Sequence, residues 1–290
     1  MRIKDIVSII RPINDLMVGF GVIIGYLMSI EEPEYFSSLD VLFGFLTGFF
    51  ISGSVMVIND IFDLKIDKIN QPWRPLPSGK ISIKEAWILG LVFLLAGILT
   101  SIQTGNITFF IAILFWFLGV IYNKFLKKTP LIGNLTVSLS IAIPFIYGGL
   151  IRGGITLNLN NYLLSGTAFF INTYREVIKD IIDIEGDISQ GLKTLPIVIG
   201  KTKSFAIASA FLLIGLLIGI IPIFIQTDLD IKIYMTMITI TESILFLSWL
   251  KAFRFNNSIS NLIQSKHLCL LGMFFGMITF MISKLVIILG

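Results

Sequence analysis

Thirty-eight consecutive residues, Ala86–Asn123, carry no charged side chain. No ordinary soluble fold can bury a run of that length. It is enough for two crossings of a hydrocarbon layer, each needing about 20 apolar helical residues, with Gln103-Thr104-Gly105-Asn106 as the turn between them. Thr129–Ile151, Gly153–Tyr174 and Ser204–Thr227 are equally free of charge. Adding Leu16–Ile30, Val41–Asn59, Ile231–Leu250 and Leu268–Ile288 gives an all-α membrane protein with nine expected transmembrane helices. The sixth of these spans is the most polar. Pro144 and Pro222 fall inside apolar runs, which membranes tolerate because neighbouring groups satisfy the freed carbonyl. Arg2 and Lys4 precede an apolar stretch, but Arg11 and Asp15 interrupt it and no small-residue cleavage site follows. The first helix is therefore expected to stay, and residues 1–290 to form a single domain.

Charge placement tests the count. With the N-terminus inside, 19 of the 22 Lys and Arg residues fall on the cytoplasmic side. Only Arg152, Lys232 and Lys284 fall opposite, where the first loop holds Glu31, Glu32 and Glu34. This is the asymmetry of the positive-inside rule. The net charge of +4 thus reflects topology and attraction to anionic headgroups, and no nucleic-acid partner is expected. A single Cys (Cys269) and a single His (His267) exclude a Cys-rich zinc site; both sit at a span boundary and read as bystanders. Glu242, inside the eighth span, and the glycines at 148, 149, 153 and 154 read as structural.

The polar residues collect in two cytoplasmic segments. One runs from Asn59 and Asp60 through Asp63 and Asp67 to Arg74 and Lys80; the other runs from Arg175 through Asp180, Asp183 and Asp187 to Lys193 and Pro196. Both read as loops and helix ends. The Asp spacing is the same in both, 120 residues apart, as an internal repeat would give. Spacings of three and four place side chains on one helical stripe, where carboxylates repel one another unless a cation sits among them. With no His or Cys present the ligands are all hard oxygen, which favours Mg²⁺, an ion that binds through a few carboxylates plus phosphate and water. Two acidic stripes facing across a cavity would hold two or more Mg²⁺ ions bridged by a diphosphate. Six carboxylates and a diphosphate outweigh that positive charge, and Arg74, Lys80, Lys127, Lys128, Arg175, Lys179 and Lys193 supply cations on the same side.

The paired patterns Asn59-Asp60-x-x-Asp63-x-x-x-Asp67 and Asp183-x-x-x-Asp187, together with Arg74-Pro75-Leu76-Pro77-Ser78-Gly79, resemble those of the UbiA superfamily of intramembrane prenyltransferases. Arg11-Pro12-Ile13-Asn14, Tyr122, Gly133-Asn134 and Arg175-Glu176-x-x-Lys179-Asp180 make the chain most similar, within that superfamily, to the archaeal digeranylgeranylglyceryl phosphate synthases. The resemblance implies an isoprenyl diphosphate donor, a lipid-phosphate acceptor, a Mg²⁺ cofactor and nine helices around a central cavity, in the cell membrane. The expected reaction moves a geranylgeranyl group from its diphosphate to the hydroxyl of geranylgeranylglyceryl phosphate. Asn59, Asp60, Asp63, Asp67, Asp180, Asp183 and Asp187 are the expected metal residues, with Asp63, Asp67, Asp183 and Asp187 catalytic. Arg74, Lys127 and Lys179 are expected on the diphosphate, with Lys124 or Lys128 as alternatives to Lys127. Arg11, Arg175 and Lys193 are expected at the acceptor's phosphate. An aromatic prenyltransferase making a quinone-like lipid is the rival reading. A cation transporter is a remoter one, because its carboxylates belong near the bilayer midplane. The D-G-x-x-A-R signature of CDP-alcohol phosphotransferases is missing.

Overall fold

The architecture is that of a computed structural model, which describes residues 2–151, 157–189, 191–225, 227–254 and 259–289. Among the described residues every regular element is helical: α1 (Ile3–Ile10), α2 (Pro12–Ser29), α3 (Ser38–Phe62), α4 (Leu64–Asn70), α5 (Ile83–Thr104), α6 (Asn106–Lys124), α7 (Ile132–Gly149), α8 (Leu159–Ser189), α9 (Leu195–Ile199), α10 (Lys201–Ile220), α11 (Ile231–Phe253) and α12 (Ile259–Leu289). Eight of these, all the long helices except α8, are long and apolar enough to cross a membrane. The expected sixth span falls on α8, which is long enough but too polar to qualify, so the count of nine is not reached on composition. Arg152 and the turn glycines Gly153 and Gly154 lie outside the described residues. Pro144 is inside α7, as expected, whereas Pro222 sits in a 3₁₀ turn that ends α10.

The chain divides into two compact units. The first comprises residues 1–26, 37–126 and 147–156. Here α3 packs on α5, α6 and α1, and the core is built from Ile9, Ile10, Val57, Leu76, Ile81, Ala86 and Leu89. Inside the apolar layer the helices are joined by short polar links. Ser54 donates to the Gly90 carbonyl (2.8 Å) and accepts from Trp116 Nε1 (2.9 Å), and Thr104 and Tyr147 share a hydrogen bond of 2.8 Å. Lipid supplies no hydrophobic drive between helices, so association relies on such links and on close backbone approach. Gly148 is the extreme case: a Cβ there would lie 2.1 Å from the Val22 carbonyl oxygen and 2.5 Å from the Tyr26 nitrogen. A capping box of Ser82 and Glu85 starts α5, satisfying two otherwise orphaned N–H groups.

The second unit comprises residues 27–36, 127–146 and 157–290. In it α8 packs on α10 and α12, and α11 pairs with α12, around Tyr174, Val177, Ile178, Ala208, Leu245 and Cys269. The polarity of the first half of α8 has a structural use. Asn161 donates to the Phe145 carbonyl (2.9 Å), Ser165 to the Ala142 carbonyl (3.0 Å) and Asn172 to Ser138 (3.2 Å), stitching α8 to α7. Deeper in the bundle Tyr174 bonds Ser265 (2.9 Å), and Ser248 donates to the Ser265 carbonyl (2.8 Å). Cys269 is fully buried and His267 exposed. Glu242 borders a cavity of 40 Å³ that is otherwise almost entirely apolar.

Candidate active site

In the first unit the acidic residues are set by a break in the helix. Asn59 and Asp60 occupy the last turn of α3, Asp63 stands at the break with φ −83° and ψ −1°, and Asp67 lies on α4. The single stripe expected for Asp60, Asp63 and Asp67 is therefore interrupted. The Asp63 N–H still makes the ordinary helical bond to the Asn59 carbonyl (2.9 Å), and its ψ near 0° is where the backbone departs from helical geometry before α4 starts anew. Asn59 Nδ2 donates to Asp63 Oδ2 (3.1 Å). Asp60 and Asp67 are almost fully enclosed and answered by arginines. Arg11 pairs with Asp60, and Arg74 Nη1 lies 2.7 Å from Asp67 and 3.6 Å from Asp60. Enclosed carboxylates need such partners, since an unpaired charge of low exposure is strongly unfavourable.

Local sequence fixes both arginines. Arg11 ends α1 in the left-handed region (φ 51°, ψ 62°), directly before Pro12. A residue before proline rarely adopts such a backbone, and it turns the chain between α1 and α2. Arg74 opens a tight segment in which its carbonyl accepts from the Ser78 N–H (3.0 Å) and hydroxyl (2.7 Å). Gly79, at φ 75°, supplies the turn, and the Ile81 N–H bonds the Pro75 carbonyl (3.1 Å). Leu76 and Ile81, 4% and 1% exposed, plug this segment into the core.

In the second unit the segment expected as a loop is continuous helix: α8 carries every residue from Arg175 to Asp187. Helical period and the lack of proline outweigh its charge, and Gly186 is carried within the helix near its end. Arg175 Nη1 and Lys179 Nζ both reach Glu176, at 2.6 and 3.4 Å. Asp180 accepts from Asn134 Nδ2 of α7 (2.8 Å). In this polar half of α8, burial pushes Asp180 up to about 7, against the Asn134 hydrogen bond and the Lys179 charge. Asp187 is also raised by burial, with Asp183 adding to the shift and Lys179 and Lys127 opposing it. Asp183 is exposed, as is Lys193 in the turn before α9. Of Lys124, Lys127 and Lys128, Lys127 is the one whose charge bears on Asp187, while Lys124 stacks over the Phe125 ring at 5.0 Å.

Among the described residues no three Asp, Glu, His or Cys side chains converge on one ion. Arginines and an amide hold several of the expected ligands instead. The donors remain carboxylate and amide oxygens throughout, a set suited to a hard cation such as Mg²⁺. Glu176, which holds two cationic side chains, and Asn134, which holds Asp180, had no assigned role on sequence grounds. The signal available for both was their place inside the quoted motifs.

The sequence profile described as the UbiA prenyltransferase family matches residues 18–278. Digeranylgeranylglyceryl phosphate synthase of Pyrococcus horikoshii is 39% identical over 77% of this chain and 79% of its own. The protein of the same name from Methanosphaera stadtmanae is 33% identical over 96% and 98%. A solved structure concerned with digeranylgeranylglyceryl phosphate synthase in membranes superposes with a TM-score of 0.80, at 27% identity and 98% coverage of both chains. A UbiA homologue from Archaeoglobus fulgidus bound to GPP and Mg²⁺ superposes with a TM-score of 0.74, at 20% identity over 95% of this chain and 99% of that one. With helices throughout, paired Asp-rich segments and relatives over nearly its whole length, the chain belongs to the UbiA prenyltransferase family.

Proposed function

We propose that the protein transfers a geranylgeranyl group from geranylgeranyl diphosphate to the free hydroxyl of geranylgeranylglyceryl phosphate, forming an ether lipid. The observation that carries this reading is the 33–39% identity to proteins named for that product. A chemical feature supports it. Each Asp-rich segment is accompanied by basic side chains, Arg11 and Arg74 in one unit and Lys127, Arg175 and Lys179 in the other. These cations offset the carboxylate and diphosphate charge that Mg²⁺ leaves uncompensated. Both units act as one domain, since the family profile spans residues of each. The Asp-rich segments face the cytoplasm, on the strength of the Lys and Arg asymmetry.

Asn59, Asp63, Asp67, Asp183 and Asp187 would hold Mg²⁺ with Asp60 and Asp180 in support. When bound, the ion supplies Lewis-acid neutralisation of the charge that develops on the diphosphate. Arg74, Lys127 and Lys179 hold the diphosphate and stabilise that same charge as the C1–O bond breaks. Arg11, Arg175 and Lys193 hold the acceptor's phosphate, so that its hydroxyl oxygen bonds C1 of the allylic cation. The hydroxyl proton passes to the departing diphosphate or to an Asp carboxylate. Apolar side chains around the prenyl chain keep water from the cation.

With radiolabelled geranylgeranyl diphosphate and geranylgeranylglyceryl phosphate, Asp63→Ala and Asp183→Ala each abolish transfer while the protein elutes unchanged from size exclusion. Full activity in either overturns the site assignment. Transfer to a hydroxybenzoate or naphthoate in preference to the lipid phosphate overturns the acceptor.

A further inference from the structure

The short helix α4 presents a face that no described residue covers. Leu64 seats the helix on the core of the first unit, and Asp67 is enclosed on its inner side. Lys65, Lys68 and Ile69 fall away from Asp67, at the spacings of three and four that align side chains on one helical face, and all three are exposed. Ile69 is 82% exposed, and Trp73, just past the end of α4, is 68% exposed. Large apolar side chains left in water are unfavourable in proportion to their area, so this pair calls for a partner.

Position and charge say which one. The flanking helices α3 and α5 are long and apolar enough to cross a membrane. The stretch between them is held close to their ends, because Leu76 and Ile81 are sunk in the core and the Ile81 N–H bonds the Pro75 carbonyl (3.1 Å). It therefore lies at the boundary between hydrocarbon and water, the level at which tryptophan collects. Its exposed charges are lysines: Lys65, Lys68, Lys80 and Lys84. The carboxylates nearby are engaged, Asp60 and Asp67 by arginines, Asp63 by Asn59 and Glu85 by the Ser82 cap. Apolar side chains among lysines suit an anionic lipid interface, where rings and methyl groups enter and ammonium groups meet phosphates. A second copy of the chain fits poorly, since a twofold contact would set this patch, lysines included, against itself.

We propose that α4 and Trp73 dock on the anionic headgroup layer of the membrane that holds the chain, with Ile69 and Trp73 entering the layer and Lys65 and Lys68 pairing with lipid phosphates. The lipid is then a partner of the helix whose inner side carries Asp67 and of the segment that carries Arg74. Leaflet charge bears in this way on how firmly both residues are held, although Lys65 and Lys68 touch neither donor nor acceptor.

The test uses the full chain in phosphatidylcholine liposomes, with and without phosphatidylglycerol, and needs no turnover. A nitroxide is attached at Ile69→Cys or Trp73→Cys; Cys269 is fully buried and stays unlabelled. In the anionic liposomes both nitroxides relax with oxygen, which concentrates in lipid, and are shielded from a water-soluble nickel chelate. Omitting phosphatidylglycerol, or combining Lys65→Gln with Lys68→Gln, raises nickel access, each lysine contributing about 5-fold to docking. Free nickel access at both sites in anionic liposomes overturns the proposal, as does a depth that responds to neither lipid charge nor the lysines. An immobilised nitroxide reached by neither reagent also overturns it, placing the face against protein, and spin–spin broadening between labelled chains would identify that protein as a second copy. Fluorescence of the unlabelled wild type against Trp73→Phe gives an independent reading. Lipids brominated near the headgroup quench the Trp73 component in anionic liposomes, and equal fractional quenching of the two proteins overturns the docking.

Discussion

Arg74→Met removes a guanidinium that serves two enclosed carboxylates. The side chains of Asp67 and Asp60 are 6% and 2% exposed, and that of Arg74 is 22% exposed. Taking away one partner of a buried ion pair costs about 3–5 kcal/mol, mostly from the charge left behind. Asp60 keeps Arg11, and solvent at the exposed part of Arg74 screens its share, so about 2–3 kcal/mol is expected. At roughly 2–4 °C per kcal/mol for a large domain, Tm falls by about 4–12 °C. Tryptophan fluorescence on the detergent-purified chain reads this directly. Combining Arg74→Met with Asp67→Asn recovers part of the loss, because the orphaned charge is gone, and the double-mutant cycle shows coupling. Arg74→Lys retains a charge but not the two-way reach of the fork, and falls between. Equal Tm values for wild type and Arg74→Met, or strict additivity in the cycle, would refute the account of Asp67 as an enclosed acid held by this arginine.

Asn134→Leu strips Asp180 of its amide donor and destabilises by about 1–3 kcal/mol. The deficit grows as pH rises through about 7, where the unassisted carboxyl must ionise; denaturation at two pH values checks the sign. Mg²⁺ or Mn²⁺ binding tightens as pH rises through the same range, since burial keeps a proton on Asp180 below about 7 and the ion needs the anion; affinity that is flat with pH contradicts this. Gly148→Ala forces a methyl against the backbone of α2 and costs about 1–3 kcal/mol or more, seen as lost yield and lower Tm.

Much of this molecule can be read from one line of sequence because lipid simplifies the code. A backbone in hydrocarbon must satisfy its own hydrogen bonds, so Ala86–Asn123 could only become a pair of helices, and it did. The acidic residues were equally visible, as was Arg74 beside its turn glycine. The partners of those residues were hidden. Asp180 meets Asn134 across 46 positions and Asp60 meets Arg11 across 49, and such pairings depend on how helices pack. The sixth span was misjudged in extent for a related reason. Charge density suggested a loop after Tyr174, but α8 runs on to Ser189, its charges answering one another along the helix. The break at Asp63 was equally unreadable, since Ile-Phe-Asp-Leu-Lys contains neither glycine nor proline.

Leu76 and Ile81 sink the Arg74 segment into the same apolar cluster that seats α1 and α3. A connector tethered in this way settles its shape while the chain folds, long before any ligand arrives. The gripping arginine is then presented with little freedom left to surrender, and the entropic penalty of capturing an anion is correspondingly small. Loosening either anchor should blunt affinity without touching a single charge.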